Sequence, residues 1–215
     1  TRPDIAYAVN QLTRHVNDPR RAHWLAAMRV LKYLRGTIDL ALHYQREEES
    51  IGATLVGYSD ADWGGDTETR RSTTGFAFLL CNGAVTWKTK LQTSVALSTC
   101  EAELMALSES AREAIWLRQI TIELQLPSSN QPVRIHEDNQ ATLLLVRGQR
   151  FSERTKHVAL RHFFVRERVA EGTIVVEYCT TEHMIADIFT KPLLRVIFER
   201  LRLKLGLRSL TQHKQ

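Results

Sequence analysis

The 215-residue sequence has few of the features that define secreted, disulfide-bonded or membrane proteins. Its three cysteines, Cys81, Cys100 and Cys179, are odd in number and lack metal-ligand spacing, which argues against a disulfide framework or a zinc site. No apolar run approaches the roughly 18 residues that span a bilayer. The first residues show no charged-then-apolar leader. We therefore expect reduced thiols and an intracellular protein.

The composition is that of an ordinary globular chain. A hydrophobic content of 43% is enough to bury a full core in one or two domains. The formal charge of +5 favours a polyanionic partner, although many proteins with this balance bind no nucleic acid. Charge alone therefore favours nucleic acid only modestly.

The first 45 residues are helical in pattern and contain no strand signal. Apolar residues recur at helical spacing in two stretches, the second of which ends at Gly36. The polar segment Gln45–Ser50 then predicts a linker. We place domains at residues 1–50, 51–192 and 193–215, the last being a basic amphipathic helix that either packs on the body or contacts a partner.

From Ala53 the pattern changes to short runs rich in Val, Thr, Phe and Tyr. Three runs predict an antiparallel meander, with Asn82-Gly83 as a type I′ hairpin turn. A long helix from about Thr99 to Leu124 follows, and then a strand, two helices, a fifth strand and a last helical region. The order βββαβααβα predicts an α/β fold with a mixed five-stranded sheet, three strands antiparallel and the others parallel, flanked by helices.

Four carboxylates fall at the edge where this fold gathers strand ends and helix starts. Asp60 closes the first strand and Asp138 directly follows the fourth, which is where open α/β sheets bind ligands. Asp187 lies in a short helix after the fifth strand, where an ordinary surface acid is the simpler interpretation in isolation.

The long helix offers two glutamates, and its periodicity separates their roles. Glu101 and Glu103 lie about 200° apart around a helix, so they cannot both face the sheet edge. Ser98 and Glu101 match a capping box, which gives Glu101 a structural role. Glu103 shares a face with Leu107 and Ala111, which should pack on the sheet. We therefore assign the chemistry to Glu103.

Acids clustered without histidine or cysteine suit a hard cation. Oxygen-only ligation favours Mg²⁺ or Mn²⁺ over zinc, and ionised carboxylates need no tuned pKa to act as ligands. Two such ions can hold both the attacking and the leaving oxygen of a phosphodiester displacement. The sequence therefore predicts a metal site formed by Asp60, Glu103, Asp138 and Asp187.

Five sequence motifs, which follow one another along the chain, carry a family resemblance. They are YSDADWGGD, WKTKLQTSVALSTCEAELMAL, EDNQATLL, FSERTKHV and ADIFTKPL. They resemble the ribonuclease H domain of copia-type LTR-retrotransposon Pol polyproteins. The opening residues 1–37 resemble the C-terminal end of the reverse transcriptase that precedes this domain. No Tyr-x-Asp-Asp motif is present, so we expect no polymerase activity.

The resemblance implies hydrolysis of the RNA strand of an RNA–DNA hybrid by two Mg²⁺ ions, for which Mn²⁺ can substitute. It implies that Asp60 bridges both ions, that Asp187 holds the ion that activates water, and that Glu103 and Asp138 hold the leaving-group ion. The implied partners are the hybrid and the reverse transcriptase portion of the same polyprotein. The implied location is a cytoplasmic virus-like particle and also the nucleus.

Other residues are weaker candidates for contact with nucleic acid, and each has a simpler structural explanation as a turn former, helix cap, edge residue or solvated side chain. They are Ser59, Lys88, Lys90, Asn139, Gln140, Lys156 and His183. Trp63 and Trp87 are candidates for stacking on the hybrid, although a strand tryptophan more often belongs to the core.

Two other functions compete with the nuclease. A decayed or domesticated transposon remnant would keep the fold and a basic surface and would only bind nucleic acid. An integrase or transposase fits worse, because those enzymes cluster three acids, whereas this chain has a helical glutamate second and a fourth acid after the last strand.

Overall fold

The computed structural model describes residues 1–45, 54–126, 129–148 and 159–210. Most of the predicted linker and the candidate Lys156 lie outside the described residues. In the described parts, no helix combines the length and apolar character needed to cross a bilayer. The elements in chain order are α1 (Ala6–Thr13), α2 (Arg21–Gly36), β1 (Leu40–Leu42), β2 (Val56–Ala61), β3 (Thr73–Leu80), β4 (Gly83–Leu91), α3 (Thr99–Glu123), β5 (Val133–Glu137), α4 (Gln140–Arg147), α5 (Ala159–Ala170), β6 (Ile174–Tyr178), α6 (Arg195–Lys204) and β7 (Leu207–Ser209).

The main sheet has five strands in the order β4-β3-β2-β5-β6. Strand β3 pairs antiparallel with β2 and β4, whereas β5 pairs parallel with β2 and β6. Parallel neighbours need crossover connections, and α3 and the α4–α5 segment lie between them in the chain. This confirms the predicted mixed five-stranded α/β sheet.

The turn between β3 and β4 lies one residue earlier than predicted. Leu80 pairs with Gly83, and the two residues with positive φ are Cys81 (51°) and Asn82 (61°). Gly83 instead begins β4, where an ideal Cβ would lie 2.7 Å from the carbonyl oxygen of His43. The Asn-Gly pair thus combines a left-handed turn residue with a glycine needed for close packing.

Helices cover both faces of the sheet. On one face α3 packs with Leu104, Leu107 and Ala111 fully buried, together with residues of α4 and α5. The other face is covered by the 3₁₀ turn Ile185–Phe189 and by α6, whose Leu201 and Leu205 are buried. Helix α6 therefore packs on the body, which answers the question that its amphipathic pattern left open.

Residues 1–45 contact the sheet and the C-terminal strand, and they contain the strand β1 where the sequence analysis predicted none. The Asn10 side-chain amide donates to the carbonyl oxygen of Thr89 on β4, at 3.2 Å. Strand β1 pairs antiparallel with β7, with Leu40 opposite Ser209. Residues 1–45 and the end of the chain are thus both attached to the body that carries the sheet.

Candidate active site

Asp60 lies near the end of β2 and is 2% exposed. Side chains alternate along a strand, so Asp60 shares a face with Tyr58, which packs in the cluster around α6 and the 3₁₀ turn. The hydroxyl group of Thr190 donates a hydrogen bond to Asp60 Oδ2. Asp60 is therefore held at the sheet edge by a residue more than a hundred positions later in the chain.

Glu103 reaches the same edge from the second turn of α3. Its Oε2 accepts a hydrogen bond of 2.8 Å from the amide of Ala61, the residue after Asp60. Glu101 has a different role, since its Oε2 accepts from the amide of Leu97 at 2.7 Å while the Ser98 hydroxyl accepts from the Glu101 amide at 3.2 Å. Ser98 thus caps the helix as inferred, whereas Glu101 binds the amide of Leu97, one residue before the cap, and not that of Ser98 as a capping box requires.

Asp138 follows β5 and completes a group of three acids. Its Oδ2 accepts a hydrogen bond of 2.7 Å from the Thr181 hydroxyl. One carboxylate oxygen each from Asp60, Glu103 and Asp138 lies within 4.8 Å of the others. A strand, a helix and a loop far apart in sequence thus bring three acids to one point.

Asp187 approaches Asp60 from another direction, on the 3₁₀ turn Ile185–Phe189, and is 5% exposed. Lys191 Nζ lies 2.8 Å from Asp187 Oδ1 and 3.8 Å from Asp60 Oδ2. Asp187 is thus linked to Asp60 through an ammonium group and does not belong to the group of three.

Gly75 allows this turn to approach the sheet. It pairs with Asp60 across β2 and β3. An ideal Cβ on Gly75 would lie 2.5 Å from Thr190 Cγ2, 2.8 Å from Phe189 Cβ and 3.1 Å from the carbonyl oxygen of Ala186. Since side chains cannot approach this closely, glycine is what lets the turn carrying Asp187 and Thr190 pack here.

We expect Gly75→Ala to displace the turn and to lower the free energy of unfolding by about 1–3 kcal/mol, the usual cost of overpacking. The affinity of the acids for a divalent ion should fall too, because Asp187 and Thr190 move with the turn. Guanidinium unfolding and calorimetric Mn²⁺ titration measure both effects. Gly36→Ala is the matched control, since a Cβ there meets nothing within 4 Å. Equal stability and equal metal affinity for the two variants would contradict the role of Gly75.

Glu137 is a fifth acid at this edge, which the sequence did not single out. It is fully buried, its Oε1 accepts from the amide of Asn139 at 3.2 Å, and its Oε2 has no hydrogen-bond partner within the described residues. The only sequence signal was the acidic pair Glu137-Asp138. Thr190 and Lys191 were missed as well, although the spacing of four residues between Asp187 and Lys191 was a usable signal.

Burial of so many carboxyl groups raises their pKa values. Desolvation is the largest cause at Asp60, Glu103 and Glu137, and the neighbouring acids raise each of these pKa values further. The pKa of Asp187 rises to about 7, first through burial and then through the charge of Asp60, against the lowering effect of Lys191. Ionising this cluster is costly unless a cation joins it.

The weaker candidates near the first acid differ in exposure. Ser59 is fully buried, which argues against the predicted contact with nucleic acid. Two acids that follow Asp60 in the chain bind backbone amides. Asp66 accepts a hydrogen bond from the Thr69 amide, as a turn former does. Asp62 accepts one from the amide of Thr73 on β3 and extends the pairing of β2 with β3. Trp63 is 57% exposed in the loop after β2. It is therefore available for stacking on a ligand, unlike the partly buried Trp87 of β4.

The remaining candidates are divided between structural contacts and solvent. Lys88 and Lys90 both form ion pairs with Glu109 of α3, at 2.8 and 3.3 Å. Asn139 caps α4, since its Oδ1 accepts from the Thr142 amide at 3.0 Å. The last two candidates, Gln140 and His183, are exposed to solvent near Asp138.

The sheet order and the acids at its edge define an α/β protein of the ribonuclease H-like class. The homologues of the chain are retrovirus-related Pol polyproteins from copia-type transposons. It is 37% identical over 206 residues to the Pol polyprotein from transposon RE2 of Arabidopsis thaliana and 38% identical over 209 residues to that from transposon TNT 1-94 of Nicotiana tabacum. These alignments cover 96% and 97% of the chain but 14% and 15% of the relatives.

No protein-family model matches the chain. Among solved structures, RNase H1 from the halophilic archaeon Halobacterium salinarum NRC-1 is similar at 12% identity, with a TM-score of 0.48. That match covers 64% of this chain and 94% of the archaeal chain. A likeness at this level carries no conclusion about activity.

Proposed function

We propose that this chain is a retrotransposon ribonuclease H that hydrolyses the RNA strand of RNA–DNA hybrids with two Mg²⁺ ions. The observation that carries the proposal is the convergence of Asp60, Glu103 and Asp138, whose carboxylate oxygens lie within 4.8 Å of one another. The relatives are named as Pol polyproteins of transposons, which supports a role in reverse transcription.

The donor set fits magnesium. Mg²⁺ binds oxygen ligands at about 2.0–2.1 Å, so two ligands of one ion are at most about 4.2 Å apart, which small side-chain rotations from the present geometry would reach. The group contains carboxylates alone, which favours Mg²⁺ or Mn²⁺. When bound, two such ions would stabilise the negative charge on the attacking and leaving oxygens of a phosphodiester displacement.

The positions of the acids support distinct roles. Asp60 lies between the two groups, with Glu103 and Asp138 on one side and Asp187 on the other. Asp60 is therefore the carboxylate that would serve both ions. Asp187 would hold the ion that activates water, and Glu103 with Asp138 would hold the leaving-group ion. Thr190 keeps the Asp60 carboxylate in place through its hydroxyl group.

The N-terminal helices also have a place in this proposal. Arg14 at the end of α1 pairs with Asp66 in the loop after β2, at 2.9 Å, and its guanidinium also donates to Thr73. We propose that residues 1–45 are the end of the reverse transcriptase and join it to the nuclease. The preceding polymerase is then a partner that shares this rigid attachment.

We expect Trp63→Ala to weaken hybrid binding by about 1–3 kcal/mol, the usual value of one aromatic stacking contact with a base. Trp63 follows Asp60 by three residues, and its indole N–H donates to the carbonyl oxygen of Ala96 at 3.1 Å, which holds the ring against the segment that precedes α3. Fluorescence anisotropy of a labelled hybrid in Ca²⁺ measures this affinity. Trp116→Ala is the matched control, because Trp116 is 55% exposed and lies roughly 20 Å along α3 from Glu103. Equal losses in both variants would contradict a specific contact at Trp63.

The test of the function is cleavage of a labelled RNA–DNA hybrid by the purified chain in Mg²⁺. Asp60→Asn, double-stranded RNA and single-stranded RNA are the controls. We expect cleavage of the hybrid RNA alone, lost in Asp60→Asn. Hybrid binding without cleavage would instead support the second candidate, a silent or domesticated remnant that only binds nucleic acid.

A further inference from the structure

Lys191 is the protein's own cation at the acid cluster. Its Nζ lies 2.8 Å from Asp187 Oδ1 and 3.8 Å from Asp60 Oδ2, so one ammonium group lies between two acids that are nearly inaccessible to solvent. Its backbone amide donates to the carbonyl oxygen of Asp187 at 3.3 Å, which fixes the main chain. The ammonium group therefore occupies a position between two carboxylates where a metal ion would bind.

The other two acids have neutral partners. Glu103 accepts from the Ala61 amide and Asp138 accepts from the Thr181 hydroxyl. Within residues 1–45, 54–126, 129–148 and 159–210, Lys191 is the only basic side chain within 4 Å of the four acids. The protein thus offsets part of the charge of the Asp60–Asp187 pair and places no cationic side chain of the described residues beside Glu103 and Asp138.

We propose that the two cation positions load in order, because Lys191 competes with a divalent ion for the Asp60–Asp187 pair. The inference rests on the proposed two-ion function and adds a rule for how the ions enter. The first ion binds to Asp60, Glu103 and Asp138, of which only Asp60 lies near the ammonium group, at the longer distance of 3.8 Å. The second ion must displace the Lys191 ammonium before it can bind to Asp187.

The Lys191 side chain can move away from the two acids while the backbone stays folded. Its side chain is 37% exposed, and the four-carbon stem allows the head group to rotate into solvent while the backbone stays in place. A phosphate of the bound nucleic acid next to the acids would give the released ammonium a new anionic partner. Binding of the nucleic acid and binding of the second ion then favour each other through thermodynamic linkage.

The test is a titration of the full chain with Mn²⁺ in the absence of nucleic acid. Calorimetry and the electron paramagnetic resonance of free Mn²⁺ both measure the binding. We compare wild type with Lys191→Met, which keeps the stem and removes the charge, and with Lys191→Arg, which keeps a positive charge. We expect one ion in wild type and in Lys191→Arg. In Lys191→Met, the Kd for the second ion should fall by at least about tenfold, a gain that Asp187→Asn in the same background should abolish.

Thermal unfolding of each variant confirms that it is folded, and Lys191→Gln serves in place of Lys191→Met if that variant is not. Two ions bound with equal affinity in wild type and Lys191→Met would overturn the competition while leaving the two-ion function intact. A single ion in all variants would overturn it as well. No Mn²⁺ bound by any variant would overturn the proposed metal-dependent function itself, and the loading order with it.

Discussion

Glu103→Gln should abolish hybrid cleavage while Glu101→Gln should leave it close to the wild-type rate. Both glutamates lie in the first turns of α3 and both are buried, at 6% and 5% exposure. Only Glu103 contributes an oxygen to the group with Asp60 and Asp138. A neutral amide is a poor ligand for a hard cation, so we expect a loss of at least about 100-fold in kcat/KM for Glu103→Gln.

The comparison is sharp because both substitutions make the same chemical change on one helix. A glutamine at position 101 can still accept the hydrogen bond from the Leu97 amide, so the cap survives. Glu101→Ala, which removes that acceptor, should cost about 1 kcal/mol of stability without removing a metal ligand. Single-turnover cleavage of a labelled hybrid and guanidinium unfolding separate these effects. A similar loss of cleavage in Glu101→Gln and Glu103→Gln would refute the assignment.

The roles of the two glutamates could be predicted from sequence because helix periodicity is a local property. The 200° separation fixed which carboxylate turns inward, and Ser98 marked the helix start. The mixed sheet was predictable for the same reason, since alternating strand runs and helical runs set its order. The register of a tight turn was less predictable, because the packing of Gly83 against His43, and not the turn chemistry alone, accompanies a turn one residue earlier, with Cys81 and Asn82 as its central residues.

The remaining parts of the site depend on contacts between distant segments. Nothing local to Gly75 indicates that the turn bearing Thr190 lies over it. Likewise, Thr190 becomes a partner of Asp60 only when the C-terminal segment packs on the sheet. Glu137 would ordinarily be interpreted as a surface acid at the end of a strand, and its burial depends on the helices around β5. Such residues are found from tertiary packing and not from periodicity.

The metal-free protein should lose stability as the pH rises from about 4 to about 7. The pKa of Asp187 is about 7 in the folded chain and 3.8 in the unfolded reference, so the folded state holds a proton that the unfolded state has released. The stabilising contribution is complete below the unfolded pKa and is lost as pH passes through the folded pKa. The raised pKa values of Asp60, Glu103 and Glu137 act in the same direction.

Urea unfolding in EDTA between pH 5 and 8, for wild type and Asp187→Asn, measures this contribution. The asparagine carries no titrating proton, so the variant should gain stability relative to wild type as pH rises, by at most about 1.4 kcal/mol per pH unit for one proton. Mg²⁺ should stabilise both proteins above pH 7 by a similar amount, because the first ion binds to Asp60, Glu103 and Asp138 and the folded state alone presents these acids together. A difference that does not change with pH in EDTA would show that Asp187 is already ionised at pH 5, and it would remove the electrostatic reason for a cation at this edge.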